Sequence, residues 1–477
     1  MIIIHIYLTQ SYLRRAGDIL KTSIIILTYN QLHLTKQCLK SIIKNTQQKD
    51  LEIIVIDNGS SDGTIDYLKS IPHLEIISNG KNLGFAKGCN QGLDIATGDQ
   101  ILFLNNDTIV TKNWLESMKS LLYSDEKIGM VGPVSNYVSG SQQIHVDYTN
   151  IDEVQDFASG YCESNAGKSR RVLRLVGFCL LVKKEVMKKI GKFDESFGYG
   201  SFEDDDLCLR ALNSGYQLRV ALDSFVHHHG HATFIGNQDI DIHHLYSINR
   251  KKFIDKWKVD LTYFFHSRPE IIELVPLGAK KILDIGCGAG AVGMELLNRQ
   301  SCKLYGVELN SFIGSIANQH YERVDTIDVE TLDLPYTPNS FDTIILADVL
   351  EHLKNPWNII EELSVYLKPS GSLICSIPNI SHAEALFPLI QGDWNYVDAG
   401  ILDRTHLRFF TPKTVQTLFP QDLFEVQSQT YNYVDVDSKV KLFLNEVSYL
   451  AKKFDFSLDH LSEYTQIYQI LIHAKKH

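Results

Sequence analysis

The sequence has no Cys-x-x-Cys pair, no low-complexity stretch and no internal repeat. Its eight cysteines are scattered, and several fall within apolar segments, as Cys179 does. That pattern favours buried free thiols in a reducing cytoplasm over a disulfide framework or a zinc site. The apolar run 2–8 is too short to span a membrane and lacks a signal-peptide cleavage region. We therefore expect no transmembrane segment.

Positive charge is also scarce, because 46 Lys and Arg face 57 Asp and Glu, a net charge of -11. This balance argues against nucleic acid as a partner. A length of 477 residues exceeds one ordinary domain, and 44% hydrophobic residues with 22% charged residues are typical of globular proteins. We expect a cytoplasmic protein of several domains, with peripheral association at the inner face of the cell membrane as an alternative.

Two separate runs of alternating strand and helix signals predict two α/β domains with largely parallel sheets. Turn and breaker residues between the runs, among them Pro269 and Gly278, indicate a linker. Near the C-terminus, an apolar stripe at helical spacing predicts a core-facing helix, and the run from Gln466 predicts a last strand. The predicted organisation is an N-terminal extension (1–21), a first domain (22–260), a linker (261–279) and a second domain (280–477).

In the first run, polar clusters follow apolar strands. One strand ends in Thr28, Tyr29 and Asn30, and the next ends in Asp57. Open α/β sheets bind ligands at the carboxyl ends of their strands, where Asp57 could accept hydrogen bonds from a nucleobase and Tyr29 could stack on it. The small residues from Asn82 through Gly84 to Gly92 would let backbone approach a diphosphate. Turn and cap roles would explain any one of these clusters alone.

A third strand ends in Asn105-Asn106-Asp107, and an acidic run, Glu203 to Asp206, lies between apolar residues further along. The order of these clusters resembles the family 2 glycosyltransferases, which have the GT-A nucleotide-diphospho-sugar transferase fold. The resemblance covers about residues 23–257. It departs from the family's Asp-x-Asp motif because Asn105 stands in place of the first aspartate.

This resemblance implies a nucleotide-sugar donor, inverting transfer and a divalent cation, Mg²⁺ or Mn²⁺, on the donor diphosphate. It implies that Asp204 is the general base, with Glu203 beside it as a further catalytic residue, and that Asp107 is a metal ligand. His228, or its neighbour His229, is the implied second metal or phosphate contact. Asn106 joins the implied nucleotide-sugar site. Asp206 and Arg210 fall one helical turn apart and could pair in a structural role.

The second run opens with a strand that ends in Asp284-Ile-Gly286-Cys-Gly288-Ala-Gly290, which predicts a tight glycine turn before a helix. Gly288, Gly290 and Gly293 also match a dinucleotide-binding fingerprint, but Gly286 already begins the turn. The whole run, from about residue 280 onward, resembles the class I methyltransferases, which have a Rossmann-like fold.

That resemblance implies S-adenosylmethionine as cofactor, cradled by Asp284 and the glycines of the turn. Glu308 ends the second strand and is the implied ribose ligand. Asp328 is the implied adenine contact, with Asp333 as the alternative. Asp348 follows the fourth strand and completes the implied S-adenosylmethionine site.

Methyl transfer to an alcohol needs a base, since a neutral hydroxyl is a poor nucleophile. His352 lies just after the fourth strand and is our candidate, with His382 and His406 as rivals. Structural hydrogen bonding is the usual role of any single histidine.

The combined expectation is a bifunctional enzyme that adds a sugar to a glycan or lipid-linked glycan acceptor and O-methylates a sugar. Two alternatives stay open. The methyltransferase could act on a non-sugar small molecule, and the first domain could be a non-catalytic nucleotide-sugar binding module.

Overall fold

The computed structural model describes residues 20–230, 241–331 and 334–477. Residues 1–19 of the predicted extension and the alternative adenine contact Asp333 lie outside the described residues. The chain divides into two compact units, Met1–Val259 and Asp260–His477. All eight cysteines are free, as predicted. Among the described residues, no helix is long and apolar enough to cross a membrane.

Within the described residues, the sheet of the first unit has nine strands, and its first half is parallel. β1 lies between β2 and β4, and Thr28 is in register with Asp57 while Leu27 is in register with Asn105. The strand order is β3-β2-β1-β4-β8-β6-β9-β5, with β7 paired to β9. The strands are β1 (Thr22–Thr28), β2 (Leu51–Asp57), β3 (Leu74–Ser78), β4 (Gln100–Asn105), β5 (Thr108–Val110), β6 (Ile128–Val134), β7 (Ser169–Val172), β8 (Cys179–Lys183) and β9 (Gln217–His228).

Amphipathic helices cover this sheet. The first helix buries Cys38, Leu39 and Ile42 on one helix face, against the buried aliphatic residues of β1 and β2. The helices are α1 (Leu32–Asn45), α2 (Thr64–Lys69), α3 (Phe85–Ile95), α4 (Trp114–Leu122), α5 (Val154–Ser164), α6 (Lys184–Ile190), α7 (Glu203–Asn213) and α8 (Ile242–Trp257).

In the described part of the second unit, the sheet has seven strands in the order β12-β11-β10-β13-β14-β16-β15. Its first five strands are parallel, as predicted, but β16 runs antiparallel to both β14 and β15. The predicted last strand therefore lies inside the sheet and not at its edge. The strands are β10 (Lys281–Ile285), β11 (Lys303–Val307), β12 (Arg323–Asp325), β13 (Phe341–Ala347), β14 (Leu367–Pro378), β15 (Phe424–Tyr433) and β16 (Ile467–Lys476).

The predicted core-facing stripe near the C-terminus is wrong. The helix α15 exists, but it buries only Leu444 and Ala451. Phe443 and Leu450 are 47% and 53% exposed, because that face has little of the described chain to cover it. The helices of this unit are α9 (Leu261–Phe264), α10 (Pro269–Leu274), α11 (Ala291–Arg299), α12 (Ser311–Ala317), α13 (Pro356–Ser364), α14 (Ala383–Gln391), α15 (Ser438–Lys452) and α16 (Leu461–Tyr464).

Residues 261–279, predicted as a linker, fall within the second unit. Ile271, Ile272 and Val275 are buried in the same cluster as residues of β10 and α11. The carbonyl of Phe264 accepts a hydrogen bond of 3.2 Å from the amide of Ala289, in the glycine turn.

We expect a fragment of residues 260–477 to fold alone and a fragment of residues 280–477 to be much less stable. The shorter fragment loses the burial of Ile271, Ile272 and Val275. At about 1.5–3 kcal/mol for each aliphatic side chain, that loss is on the order of 5 kcal/mol. Thermal unfolding of the two fragments, followed by circular dichroism, measures the difference. Equal stability would contradict the assignment of residues 260–279 to the second domain.

Candidate active sites

The carboxyl ends of β1 and β4 meet in a buried polar network. The side-chain amide of Asn106 donates to the hydroxyls of Thr28, at 3.4 Å, and Thr35, at 3.0 Å. These two hydroxyls lie 3.1 Å apart. The side chains of Thr28 and Asn106 therefore form hydrogen bonds within the protein that hold the two strand ends together. Tyr29, the residue after Thr28, is half-buried.

The loops after β1 and β2 are joined side by side. The Asp57 carboxylate accepts the amide of Ser60 at 3.2 Å, and the Ser60 hydroxyl accepts the amide of Asn30 at 2.7 Å. In the next loop, the side chain of Asn82 accepts the amide of Gly84 at 2.9 Å. Five of the predicted nucleotide-sugar residues, Thr28, Tyr29, Asn30, Asp57 and Asn106, thus lie on adjacent strand ends of one sheet edge.

Asp107 and His228 come together although they are far apart in the sequence. The Nε2 atom of His228 lies 3.3 Å from Oδ1 of Asp107. Both atoms are buried, and neither has another hydrogen-bond partner among the described residues. His228 Nδ1 lies 2.8 Å from the carbonyl of Tyr137, which can only accept, so in the neutral ring Nε2 is the nitrogen that has the lone pair. Burial lowers the pKa of His228, but Asp107 outweighs it and raises that pKa.

The acidic run forms the first turn of α7, where the helix dipole favours negative charge. Asp204 Oδ2 accepts the amide of Gly177 at 2.9 Å. Asp205 is paired with Arg174, and burial still raises the pKa of Asp205 to about 6. Burial, and next the charge of Asp204, raise the pKa of Glu203 well above its usual value.

Asp206, the last acid of the run, forms hydrogen bonds with neighbouring side chains. Its Oδ2 accepts from Arg210 at 2.9 Å, and its Oδ1 accepts from Trp257 at 2.8 Å. The pairing of Asp206 with Arg210 is as predicted.

A dipeptide that sequence reasoning missed connects the acidic helix to the Asp107–His228 pair. Gly177 donates its amide to Asp204, and the next ring, Phe178, stacks on His228 with centroids 5.0 Å apart. The carbonyl of Phe178 accepts the amide of Asn105 at 2.8 Å. The sequence offered only one signal, a glycine directly before an apolar strand.

In the second unit, the turn after β10 has Gly286, Gly288 and Gly290 at φ of 67°, 54° and 84°. These values lie in the left-handed region, which residues with a Cβ rarely adopt. The amide of Gly288 donates to Oε2 of Glu308 at 2.9 Å, and the amide of Asn310 donates to Oε1 at 2.8 Å. The glycine turn is therefore hydrogen-bonded to Glu308, the acid after β11.

The other three residues predicted to bind S-adenosylmethionine differ in burial and in hydrogen-bond partners. Asp284 is buried and accepts the hydroxyl of Tyr321 at 2.7 Å, and burial raises the pKa of Asp284 to about 7. Asp328 is exposed and accepts the amide of Glu330 at 3.0 Å. Asp348 has φ of 54° and is paired with Arg268.

The predicted histidines separate into two groups. His352 and His406 lie together, with ring centroids 4.8 Å apart. Burial, and then the neighbouring His406, lower the pKa of His352, which favours its neutral ring. His382 instead caps α14 and accepts the amide of Glu384 at 3.2 Å. Sequence reasoning also missed Arg268, which lies in the predicted linker.

Comparisons with known proteins divide the chain in the same way. Residues 23–191 match the family described as Glycosyl transferase family 2, and residues 261–429 match the family described as Methyltransferase domain. The chain therefore carries two transferase domains. The first is a family 2 glycosyltransferase domain with a GT-A fold, and the second is an S-adenosylmethionine-dependent methyltransferase domain with a Rossmann-like fold.

Individual relatives match one domain each. An uncharacterized glycosyltransferase of Haemophilus influenzae is 35% identical over 114 residues, 23% of this chain, and the match spans only 35% of that protein. A ubiquinone biosynthesis O-methyltransferase of Nitrosococcus oceani is 29% identical over 189 residues, 37% of this chain and 79% of the relative. A mannosyltransferase of Pyrobaculum calidifontis, solved with GDP-Man and Mn²⁺, is 18% identical, with a TM-score of 0.34, over 49% of this chain and 66% of that one.

Proposed function

We propose that the first domain transfers a sugar from a nucleotide-sugar donor, with inversion, to a glycan or lipid-linked glycan, and that the second domain O-methylates a sugar. The observation that carries the first half is the Gly177–Phe178 dipeptide. It contacts Asp204 on one side and His228 on the other, and so joins the acceptor base to the donor side of one site.

Asp204 acts as the general base. It removes the proton from the acceptor hydroxyl while that oxygen attacks the anomeric carbon and the nucleoside diphosphate leaves. Glu203 is less suited to this task, because burial and the charge of Asp204 raise its pKa well above the usual value and favour its protonated form. Asp205 is paired with Arg174 and Asp206 with Arg210, whereas the carboxylate of Asp204 accepts hydrogen bonds from backbone amides, which leaves Asp204 as the base of the run.

Asp107 and His228 would hold a divalent cation, Mg²⁺ or Mn²⁺. Their facing oxygen and nitrogen atoms are buried without another partner, which is the donor set such an ion requires. When bound, the cation supplies charge that stabilises the leaving diphosphate. Because Asn105 replaces an acid, His228 supplies the second ligand of the pair.

In the second domain, Glu308 and the glycine turn bind S-adenosylmethionine. Glu308 already orders the turn through Gly288, so its carboxylate lies at the end of β11 where ribose hydroxyls would be bound. The neutral His352 beyond β13 can take up a proton from an acceptor hydroxyl. A second candidate acceptor, a non-sugar small molecule, is supported by the likeness to the ubiquinone biosynthesis O-methyltransferase.

A panel of nucleotide sugars, supplied with Mn²⁺ and methyl-labelled S-adenosylmethionine, tests this function on the full chain with a membrane glycan extract. We expect one nucleotide sugar to be consumed and the methyl label to appear in the glycan. Asp107→Ala should weaken nucleotide-sugar binding at least about tenfold, or about 1.4 kcal/mol, because the cation loses a ligand. Label found only in a small-molecule fraction would favour the second candidate, and nucleotide-sugar binding without consumption would favour a binding module.

A further inference from the structure

Three metal-ligating side chains meet in the second unit beyond the end of β13. Glu351 and His352 belong to the short turn Leu350–His352, and His406 lies in the segment before Phe410. One potential ligand atom from each side chain lies within 4.8 Å of the other two. The sequence places His406 more than fifty residues away, so the fold assembles this cluster.

The Glu351 carboxylate is buried, with 1% of the residue exposed, and its Oε2 has no hydrogen-bond partner among the described residues. Leaving such an oxygen without a partner is costly. The nearby guanidinium of Arg268 pairs with Asp348 and Glu270 instead. The backbone carbonyl of Glu351, by contrast, accepts the amides of Leu407 and Arg408, at 2.7 and 3.0 Å, and so fixes the His406 segment beside the carboxylate.

Both histidines face hydrogen-bond acceptors at Nδ1. His352 Nδ1 lies 3.3 Å from the carbonyl of Thr405 and 3.1 Å from the Thr405 hydroxyl, which donates its own hydrogen to Asp403. His406 Nδ1 lies 2.9 Å from the carbonyl of Ile401. A carbonyl oxygen can only accept, so each Nδ1 carries the hydrogen and each Nε2 keeps its lone pair. Metal-binding histidines are oriented in this way, with one ring nitrogen donating to a carbonyl and the other free for the ion.

The cluster adjoins the predicted S-adenosylmethionine turn. β10 and β13 are neighbouring parallel strands, so the segments that follow them leave the sheet at the same edge. A Cβ placed on Gly286 would lie 2.7 Å from the side chain of Val349, two residues before Glu351. The ring centroid of Tyr263 lies 6.5 Å from that of His352.

We propose that Glu351, His352 and His406 bind a divalent transition-metal cation that holds the methyl acceptor. One carboxylate and two imidazoles suit Mn²⁺, Co²⁺ or Zn²⁺ and leave coordination positions open. This inference rests on the proposed methyltransferase function and changes the role of His352 from base to ligand. On the cation, an acceptor hydroxyl loses its proton to solvent more readily. Its oxygen then bonds to the methyl carbon, the carbon–sulfur bond breaks with its electron pair on sulfur, and S-adenosylhomocysteine leaves.

The test is an Mn²⁺ titration of the full chain, followed by electron paramagnetic resonance, with Co²⁺ absorption spectra in parallel. Asp107→Ala is the background, because it removes a ligand of the proposed cation site in the first domain. We expect this variant to retain one saturable site in the second domain. Adding Glu351→Gln or His406→Ala should weaken that site about 100-fold, whereas the exposed His460→Ala should leave it unchanged.

Binding of S-adenosylhomocysteine, measured by calorimetry, shows that each variant is folded and tests the methyltransferase assignment independently. Because Glu351 is buried, His406→Ala decides the outcome if Glu351→Gln does not fold. Retained S-adenosylhomocysteine binding with lost Mn²⁺ binding supports the proposal. Binding of neither Mn²⁺ nor Co²⁺ in the Asp107→Ala background overturns it, as does equal affinity in the His406→Ala variant. A wild-type chain that fails to bind S-adenosylhomocysteine would refute the proposed function instead.

Discussion

Asp204→Asn should abolish sugar transfer while nucleotide-sugar binding changes less than about threefold. The amide keeps the size of the carboxylate, and its oxygen can still accept the 2.9 Å hydrogen bond from Gly177. It cannot take up a proton, and loss of a general base costs about 10²–10⁴-fold in rate. Turnover is measured from nucleoside diphosphate release and affinity from calorimetry with the donor identified by the panel.

Asp66→Asn provides the matched control, since Asp66 is an exposed carboxylate on α2 of the same domain. It should leave both turnover and affinity unchanged. If Asp204→Asn turned over at the wild-type rate, another group would be the base. If it lost nucleotide-sugar affinity instead, Asp204 would belong to the donor side of the site.

Glu308→Ala should weaken S-adenosylhomocysteine binding about 100-fold. The substitution removes the proposed ribose ligand and leaves the amides of Gly288 and Asn310 without their acceptor. Hydrogen bonds to a charged group contribute about 1.5–3 kcal/mol each, so a loss of about 3 kcal/mol is expected. Calorimetric titration of S-adenosylhomocysteine into the full chain measures the effect.

Glu322→Ala is the comparison for that experiment, because Glu322 lies beside β12 with 47% of its side chain exposed. It should bind S-adenosylhomocysteine as the wild type does. Glu308→Ala should leave nucleotide-sugar affinity unchanged, since the two ligand sites are predicted in separate domains. Wild-type affinity of Glu308→Ala for S-adenosylhomocysteine would exclude Glu308 as a ligand.

Local patterns predicted much of the fold. Apolar runs followed by polar turns located β1, β2 and β4 and the helix that begins after Gly290, because strand ends and glycine turns are set by neighbouring residues. The pairing of Asp107 with His228 depends on β5 lying against β9, where Thr108 is in register with His228. Only the resemblance to a known family, and no pattern within this sequence, pointed to those two residues together.

Contacts made through distant segments were not predicted. Arg268 reaches Asp348 from a segment that reads as turn residues, and Gly177 reaches Asp204 from the turn just before β8. For α15 the prediction failed in the opposite way, because the sequence pattern predicted a buried face and the structure leaves that face exposed. A helical apolar stripe indicates a surface that needs covering, but it does not say whether the chain supplies the cover.

The position of β16 has a consequence for synthesis on the ribosome. Its residues Ile467–Lys476 insert between β14 and β15, both of which are translated earlier. Until that segment emerges from the exit tunnel, β15 has no partner strand and β14 has one open edge, which is a template for pairing with other nascent chains. The first unit can complete its own sheet long before this point. During translation the glycosyltransferase domain can therefore fold while the methyltransferase domain still lacks its antiparallel strand β16.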